Sequence, residues 1–129
     1  CEMGHGDTIV IADGNFPAAS VGRGAHVIRA DGLGVPELLR AILPLFPLDA
    51  YVEHPVPLMQ VVPGDPVKTP IWEEYRAAVR EHDARGDAAF AEVERFAFYE
   101  KAKGAYAIVA TGEKAVYANI ILQKGVVKE

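Results

Sequence analysis

The sequence predicts one layered α/β domain, and three observations carry that expectation. Short β-branched runs alternate with longer segments whose apolar residues recur at helical spacing. Glycine, proline and aspartate clusters punctuate the joins. The 129 residues, half of them hydrophobic, suit a single core of ordinary size. No internal repeat or linker divides the chain, and strand order is not legible from the pattern.

Taken in order, Thr8 to Ala12 reads as a buried strand that Asp13-Gly14-Asn15-Phe16-Pro17 stops with turn chemistry. A second short strand is expected near His26 to Arg29. Pro36 can open a helix where no backbone donor is needed, and Val35, Leu38, Leu39, Ile42 and Leu43 then share one face. Ala50 to Val62 reads as a strand region, with Pro55 and Pro57 pointing to an edge or an irregularity. Pro63 to Pro66 is a loop. Thr69-Pro70 is expected to cap a helix whose first turn holds Glu73 and Glu74, ending near Arg85-Gly86. Asp87 could cap a further helical stretch, broken near Arg95 and ended by Gly104. Ala105 to Ala110 and Val116 to Leu122 read as two strands joined by Thr111-Gly112-Glu113-Lys114.

Composition removes several function classes. A formal net charge of −5 argues against general binding to nucleic acid or anionic membrane and leaves a neutral ligand open. A single cysteine, Cys1, excludes an internal disulfide framework and a thiolate metal cluster. It fits a reducing compartment, and with no signal-peptide pattern a cytoplasmic location is expected. No apolar stretch reaches the ~20 residues of a membrane-spanning helix. Neither Gly4-His5-Gly6 nor Gly32-Leu33-Gly34 completes a dinucleotide fingerprint, and phosphate loops and nucleophile elbows are absent. The histidines are too dispersed for common zinc spacings. No cofactor and no metal are expected.

Five polar positions stand out as carriers of chemistry. His5 lies between two glycines, where its imidazole is accessible and can exchange a proton near neutral pH; an exposed turn histidine is the plain alternative. Asp13 ends the first strand, where open α/β sheets gather ligands, or else forms an Asx turn with Gly14-Asn15. Tyr117 and Asn119, two apart on an expected strand, would share one face and offer a ring and an amide to hydroxyl groups, unless that face is simply solvated. Arg95 opens an aromatic stretch and presents several donors, or lays its stem along core aromatics. Trp72 and Tyr75 read as packing residues rather than stacking platforms for a ligand.

The run from Met3 to Asp13 resembles the opening motif of the fucose mutarotase and ribose pyranase family. The resemblance continues through Asn15-Phe16-Pro17, Arg29 to Gly32, Met59-Gln60, Thr69 to Trp72, Arg95 to Glu100, Thr111-Gly112-Glu113 and Tyr117-Ala118-Asn119. It implies a single-domain three-layer α/β/α sandwich over residues 1–129. Family members carry a helix before this motif; either the chain is trimmed there or that helix is expected to be lacking. It implies His5 as the proton-donating residue and Asp13, Arg95, Tyr117, the backbone of Ala118 and Asn119 as sugar contacts. Arginine at position 95 resembles the fucose type more than the ribose type.

The activity so implied is anomer interconversion of a free monosaccharide, L-fucose foremost, by acid/base-catalysed ring opening and reclosure. A ribose pyranase, a non-catalytic sugar-binding module and a purely structural role for the polar residues are the alternatives. Fully extended, eight residues span up to roughly 26–29 Å. His5 and Asp13 therefore share a pocket only if the chain folds back or if neighbouring subunits contribute them. The resemblance implies a ring-shaped homo-oligomer, commonly decameric.

Overall fold

The computed structural model describes residues 3–127; Cys1, which carried the redox argument, lies outside the described residues. In chain order the elements are β1 (Thr8–Ala12), α1 (Ala18–Val21), β2 (His26–Ala30), α2 (Val35–Ile42), β3 (Val56–Met59), α3 (Ile71–Arg80), β4 (Phe90–Val93), α4 (Arg95–Lys103), β5 (Ala107–Thr111) and β6 (Ile120–Gln123). The strands form one sheet in the order β2-β5-β1-β6-β3-β4. β2, β5 and β1 pair in parallel, as do β3 and β4, while β6 runs antiparallel to both β1 and β3.

Two apolar clusters sandwich this sheet, which gives the expected three layers. On one face Ile11, Leu58, Ile120 and Leu122 meet α2 and α3 through Val35, Leu39, Ile71, Trp72, Tyr75 and Val79. On the other, Val10, Ala12, Ile108 and Ile121 meet α1 and α4 through Val21, Phe98 and Ala102. Successive residues Val10 and Ile11 thus serve opposite layers, as pleat alternation requires. The apolar face read for α2 is present: Val35, Leu39 and Leu43 are buried, and Leu38 and Ile42 pack partly buried beside them.

Four expectations need correction. The Ala50–Val62 region contributes only Val56–Met59, and β3 is an inner strand rather than an edge. Pro57 is tolerated there for a geometric reason. The Gln60 N–H donates to Val93 in β4, so by alternation the missing donor of Pro57 faces β6, where a single residue pair (Leu58 with Ile120) forms the ladder. Helix α3 has Pro70 rather than Thr69 at its N-cap and stops at Arg80, short of Arg85-Gly86. The stretch from Asp87 to Gly104 is not one broken helix. It holds strand β4 as well, and only Arg95–Lys103 is α-helical, capped by the Glu94 carboxylate on the N–H groups of Phe96 and Ala97. Finally, β6 begins at Ile120, because Tyr117 takes a left-handed φ of 54° that extended backbone excludes.

Gly112 follows β5 where the chain passes directly over the Asp31 carbonyl, and a Cβ at this position would overlap that oxygen. Gly112→Ala is expected to destabilise the fold by about 1–3 kcal/mol, the usual range for forced overpacking. Urea unfolding measures it; an unchanged midpoint would mean that the Asp31 turn yields freely.

A candidate functional site at the carboxyl edge of the sheet

At the carboxyl ends of β1 and β3, which flank antiparallel β6, lies an open cavity of about 210 Å³. Asp13, Asn15 and Phe16 come from the turn after β1, Met59 from the end of β3, and Val62 from the loop that follows. Arg95 and Tyr99 come from the first turns of α4, one helical turn apart and so on one face. Val116, Tyr117 and Asn119 come from the turn before β6.

Asp13 organises this edge. It is 5% exposed. Its Oδ1 accepts the Asn15 N–H at 3.0 Å, its Oδ2 accepts the Ala118 N–H at 3.3 Å, and its own N–H donates to Asn119 Oδ1 at 2.7 Å. The Asx turn read from the sequence is present, at the carboxyl end of β1. Burial pushes the Asp13 carboxyl above its ordinary value, and the Glu113 charge adds to this against the pull of the backbone N–H groups.

The turn carrying Tyr117 is strained and tied down on every side. A non-glycine residue at positive φ costs about 1–3 kcal/mol and persists only where its surroundings over-determine it. Here Trp72 Nε1 donates to the Tyr117 carbonyl at 2.8 Å, and the Tyr75 hydroxyl donates to that of Ala118 at 2.6 Å. The Tyr117 hydroxyl donates to Asp65 at 3.0 Å and accepts the Val62 N–H at 3.3 Å. Trp72 and Tyr75 are buried packing residues, as read from the sequence, with the added task of supporting this turn. Tyr117 and Asn119 do reach one cavity, but from a turn rather than from a strand face. Ala118 is fully buried, with both backbone groups committed to Asp13 and Tyr75. Arg95 is exposed at the rim, its guanidinium 5.2 Å from the centre of the Phe96 ring rather than laid along the core.

His5 is not brought to this cavity. It precedes β1, at the opposite edge of the sheet from Asp13, and the intervening strand alone is roughly 16 Å long at 3.3 Å per residue. There Gly6, at φ 88°, turns the chain so that its N–H reaches the Lys124 carbonyl, and the imidazole stands 45% exposed. His5 Nε2 lies 3.0 Å from Asp49 Oδ1, and its ring lies 5.2 Å from that of Tyr51.

Sequence reasoning missed Asp49, which is 2% exposed and also accepts the Tyr51 N–H at 2.9 Å and the Gln123 side-chain amide at 3.1 Å. Burial opposes its ionisation, but these donors and His5 hold its carboxyl below the ordinary value. A depressed carboxyl contributes stability above the unfolded value of ~3.9 that is lost as pH falls through the folded one. The stability gap between the protein and its Asp49→Asn variant, read by urea unfolding, is therefore expected to shrink between about pH 7 and pH 3. A gap independent of pH would contradict this.

Sequence reasoning also missed Tyr99, although its i+4 spacing from Arg95 was a usable signal. Among the described residues, no group of three or more His, Cys, Asp or Glu side chains could hold a metal ion, and no helix is long and apolar enough to cross a membrane.

Residues 1–127 match the RbsD / FucU transport protein family. The chain is 56% identical over 128 residues to the fucose mutarotase of Homo sapiens, spanning 96% of this chain and 82% of that protein. It is 52% identical over 126 residues to an L-fucose mutarotase of Actinobacillus pleuropneumoniae, spanning 97% and 85%. FucU from Bifidobacterium longum matches the structure with a TM-score of 0.97 at 62% identity, covering 99% of this chain and 91% of that one. The fucose mutarotase of Streptococcus pneumoniae, solved in complex with L-fucose, matches with a TM-score of 0.92 at 50% identity, covering 98% and 88%.

Proposed function

Since the chain belongs to the RbsD / FucU family, we propose that it is a mutarotase interconverting the α and β anomers of free L-fucose. The observation that carries this reading is the likeness, over nearly the whole chain, to a fucose mutarotase solved with L-fucose. The local chemistry agrees. The cavity is smaller than the about 300–1,000 Å³ of pockets for drug-sized ligands, which suits a monosaccharide. It offers a carboxylate, two amides, a guanidinium and two phenols to hydroxyl groups, and Phe16, Met59, Val62 and Val116 to a methyl group.

Mutarotation needs proton transfer and a free path for rotation. A base removes the anomeric hydroxyl proton, the bond from the anomeric carbon to the ring oxygen breaks, and an acid protonates that oxygen. The open-chain aldehyde turns about its first carbon–carbon bond and recloses on its other face by the reverse steps. Neither a redox centre nor a covalent enzyme intermediate is required. In this reading His5 is the acid/base group, while Asp13, Arg95, Tyr117, Asn119 and the Ala118 backbone hold the sugar or its supporting turn.

The separation of His5 from Asp13 sets a condition: His5 of one subunit serves the cavity of a neighbour. Leu45, Tyr51, Val126 and Val127, exposed around a cleft whose Tyr51 ring lies against His5, supply apolar surface for such a contact. A ring-shaped homo-oligomer, commonly decameric, and a cytoplasmic location complete the proposal.

Saturation-transfer NMR of anomer exchange, with and without protein, tests it across L-fucose, galactose and ribose. Fast exchange of L-fucose is the expected result; binding without exchange, or exchange confined to ribose, would refute it. Arg95→Lys is expected to weaken binding and narrow the preference for L-fucose, since an ammonium cannot reproduce the forked donors. The preference itself, a methyl group against the hydroxymethyl group of common hexoses, is worth only about 1–3 kcal/mol. A variant keeping both rate and selectivity would remove Arg95 from the site.

A further inference from the structure

The turn between α3 and β4 carries a guanidinium whose bonds reach across to a different part of the fold. Arg85 Nε and Nη2 meet Asp83 Oδ1 and Oδ2 at 3.0 and 2.8 Å, and the Arg85 N–H also donates to Asp83 Oδ1 at 2.9 Å. Held in that fork, Nη1 donates to two carbonyl oxygens, those of Asp49 at 3.1 Å and Val52 at 2.9 Å. These carbonyls bracket the 49–52 turn, which contains both side chains found against His5: the Asp49 carboxylate and the Tyr51 ring. The clamp is sheltered, with the side chains of Arg85 and Asp83 28% and 15% exposed.

We infer that Arg85 is a positioning residue for the exchange reaction, clamping the 49–52 turn so that Asp49 is fixed against the imidazole of His5. The inference rests on the reading of His5 as the acid/base group. Its physical basis is that, within its own subunit, a ring left nearly half exposed has little packing to orient it. The hydrogen bond at one ring nitrogen then sets its direction and tautomer. The carboxylate making that bond is only as well placed as its turn. One edge of that turn is joined to β6 through the Asp49 N–H and the Gln123 carbonyl. Arg85 holds the other side, by two carbonyls at once. A planar fork can bridge both while remaining bidentate to Asp83; a lysine ammonium cannot.

The test compares Arg85→Ala and Arg85→Lys with the unaltered protein and with His5→Ala. The readouts are the imidazole ¹⁵N shifts of His5 in histidine-labelled protein, together with kcat and KM for L-fucose exchange. In Arg85→Ala the His5 nitrogen signals are expected to move toward those of an exposed, unpaired histidine. Its kcat should fall about tenfold through misplacement of the ring, with KM changing less than about twofold. Lysine should recover part of both. Should Arg85→Ala not fold, Asp83→Asn loosens the same fork and carries the same expectation in smaller measure. Unmoved His5 signals and an unchanged kcat overturn the inference, even if thermal stability drops, because Arg85 then serves the fold alone. Full exchange activity in His5→Ala would instead overturn the acid/base reading, and the ¹⁵N shifts distinguish the two failures.

Discussion

Replacing His5 with alanine is expected to slow anomer exchange by about 10²–10⁴-fold, the contribution of a well-placed acid/base group. The fold should survive, since the side chain is 45% exposed and contributes to neither apolar cluster. The sharper form of the test uses the distance between His5 and the cavity. A variant lacking the imidazole, His5→Ala, and a variant lacking the carboxylate, Asp13→Asn, are each expected to be strongly slowed alone. If His5 of one subunit serves the cavity of the next, subunits mixed at random in a closed ring restore about a quarter of the sites, because each needs one intact cavity beside one intact histidine. Mixing after denaturation and refolding, followed by saturation-transfer NMR, reads this directly. No recovery from a mixture of well-folded chains would place both groups of a working site in one subunit, which the length of β1 opposes.

The second large effect is expected at Asp13 itself. Asp13→Asn preserves the shape of the side chain but replaces one carboxylate oxygen with an amide nitrogen, which cannot accept a hydrogen bond. Of the N–H groups of Asn15 and Ala118, one must then lose its acceptor. A stranded buried donor costs about 1–3 kcal/mol, and the loss of a charged acceptor for sugar hydroxyls costs a comparable amount in catalysis. Stability should therefore fall by that margin, and kcat/KM for L-fucose on the order of a hundredfold. The pH dependence gives the sign. The folded carboxyl lies above its ordinary value, so the active carboxylate form is lost at a higher pH than an ordinary aspartate would allow. The variant should lose that acid limb of the rate profile. If it is less stable yet exchanges L-fucose at the full rate per folded molecule, Asp13 only ties the turn.

Much of the architecture was legible because it rests on local pattern. β1 declared itself through five residues, Thr-Ile-Val-Ile-Ala, bounded by turn chemistry, and α2 through a proline start and one apolar face. β4 was not legible. Its four residues, Phe-Ala-Glu-Val, are too few for a period, and the surrounding composition from Asp87 to Gly104 favours helix. The start of β6 was misplaced for a related reason. Val116 to Leu122 has strand composition throughout, but the left-handed conformation of Tyr117 depends on bonds from Trp72, Asp65 and Val62, all more than forty residues away.

The site divides along the same line. The identities of His5, Asp13, Arg95, Tyr117 and Asn119 as chemically able side chains follow from residue type, turn signals and family resemblance, all properties of the chain read in order. The sequence also placed Asp13 directly after a strand, and the structure has it at the carboxyl end of β1, lining the cavity. The partnership of His5 with Asp49, across 44 positions, follows from no local rule. It arises because β6 inserts antiparallel between β1 and β3, so that its Gln123–Lys124 end comes beside the entry to β1 and receives the Leu48–Asp49 segment there. Residue type and local spacing determine which groups can donate or accept a proton. Which of them meet is decided by strand order, because pairing between distant strands depends on the packing of the whole sheet and leaves no periodic trace in the chain.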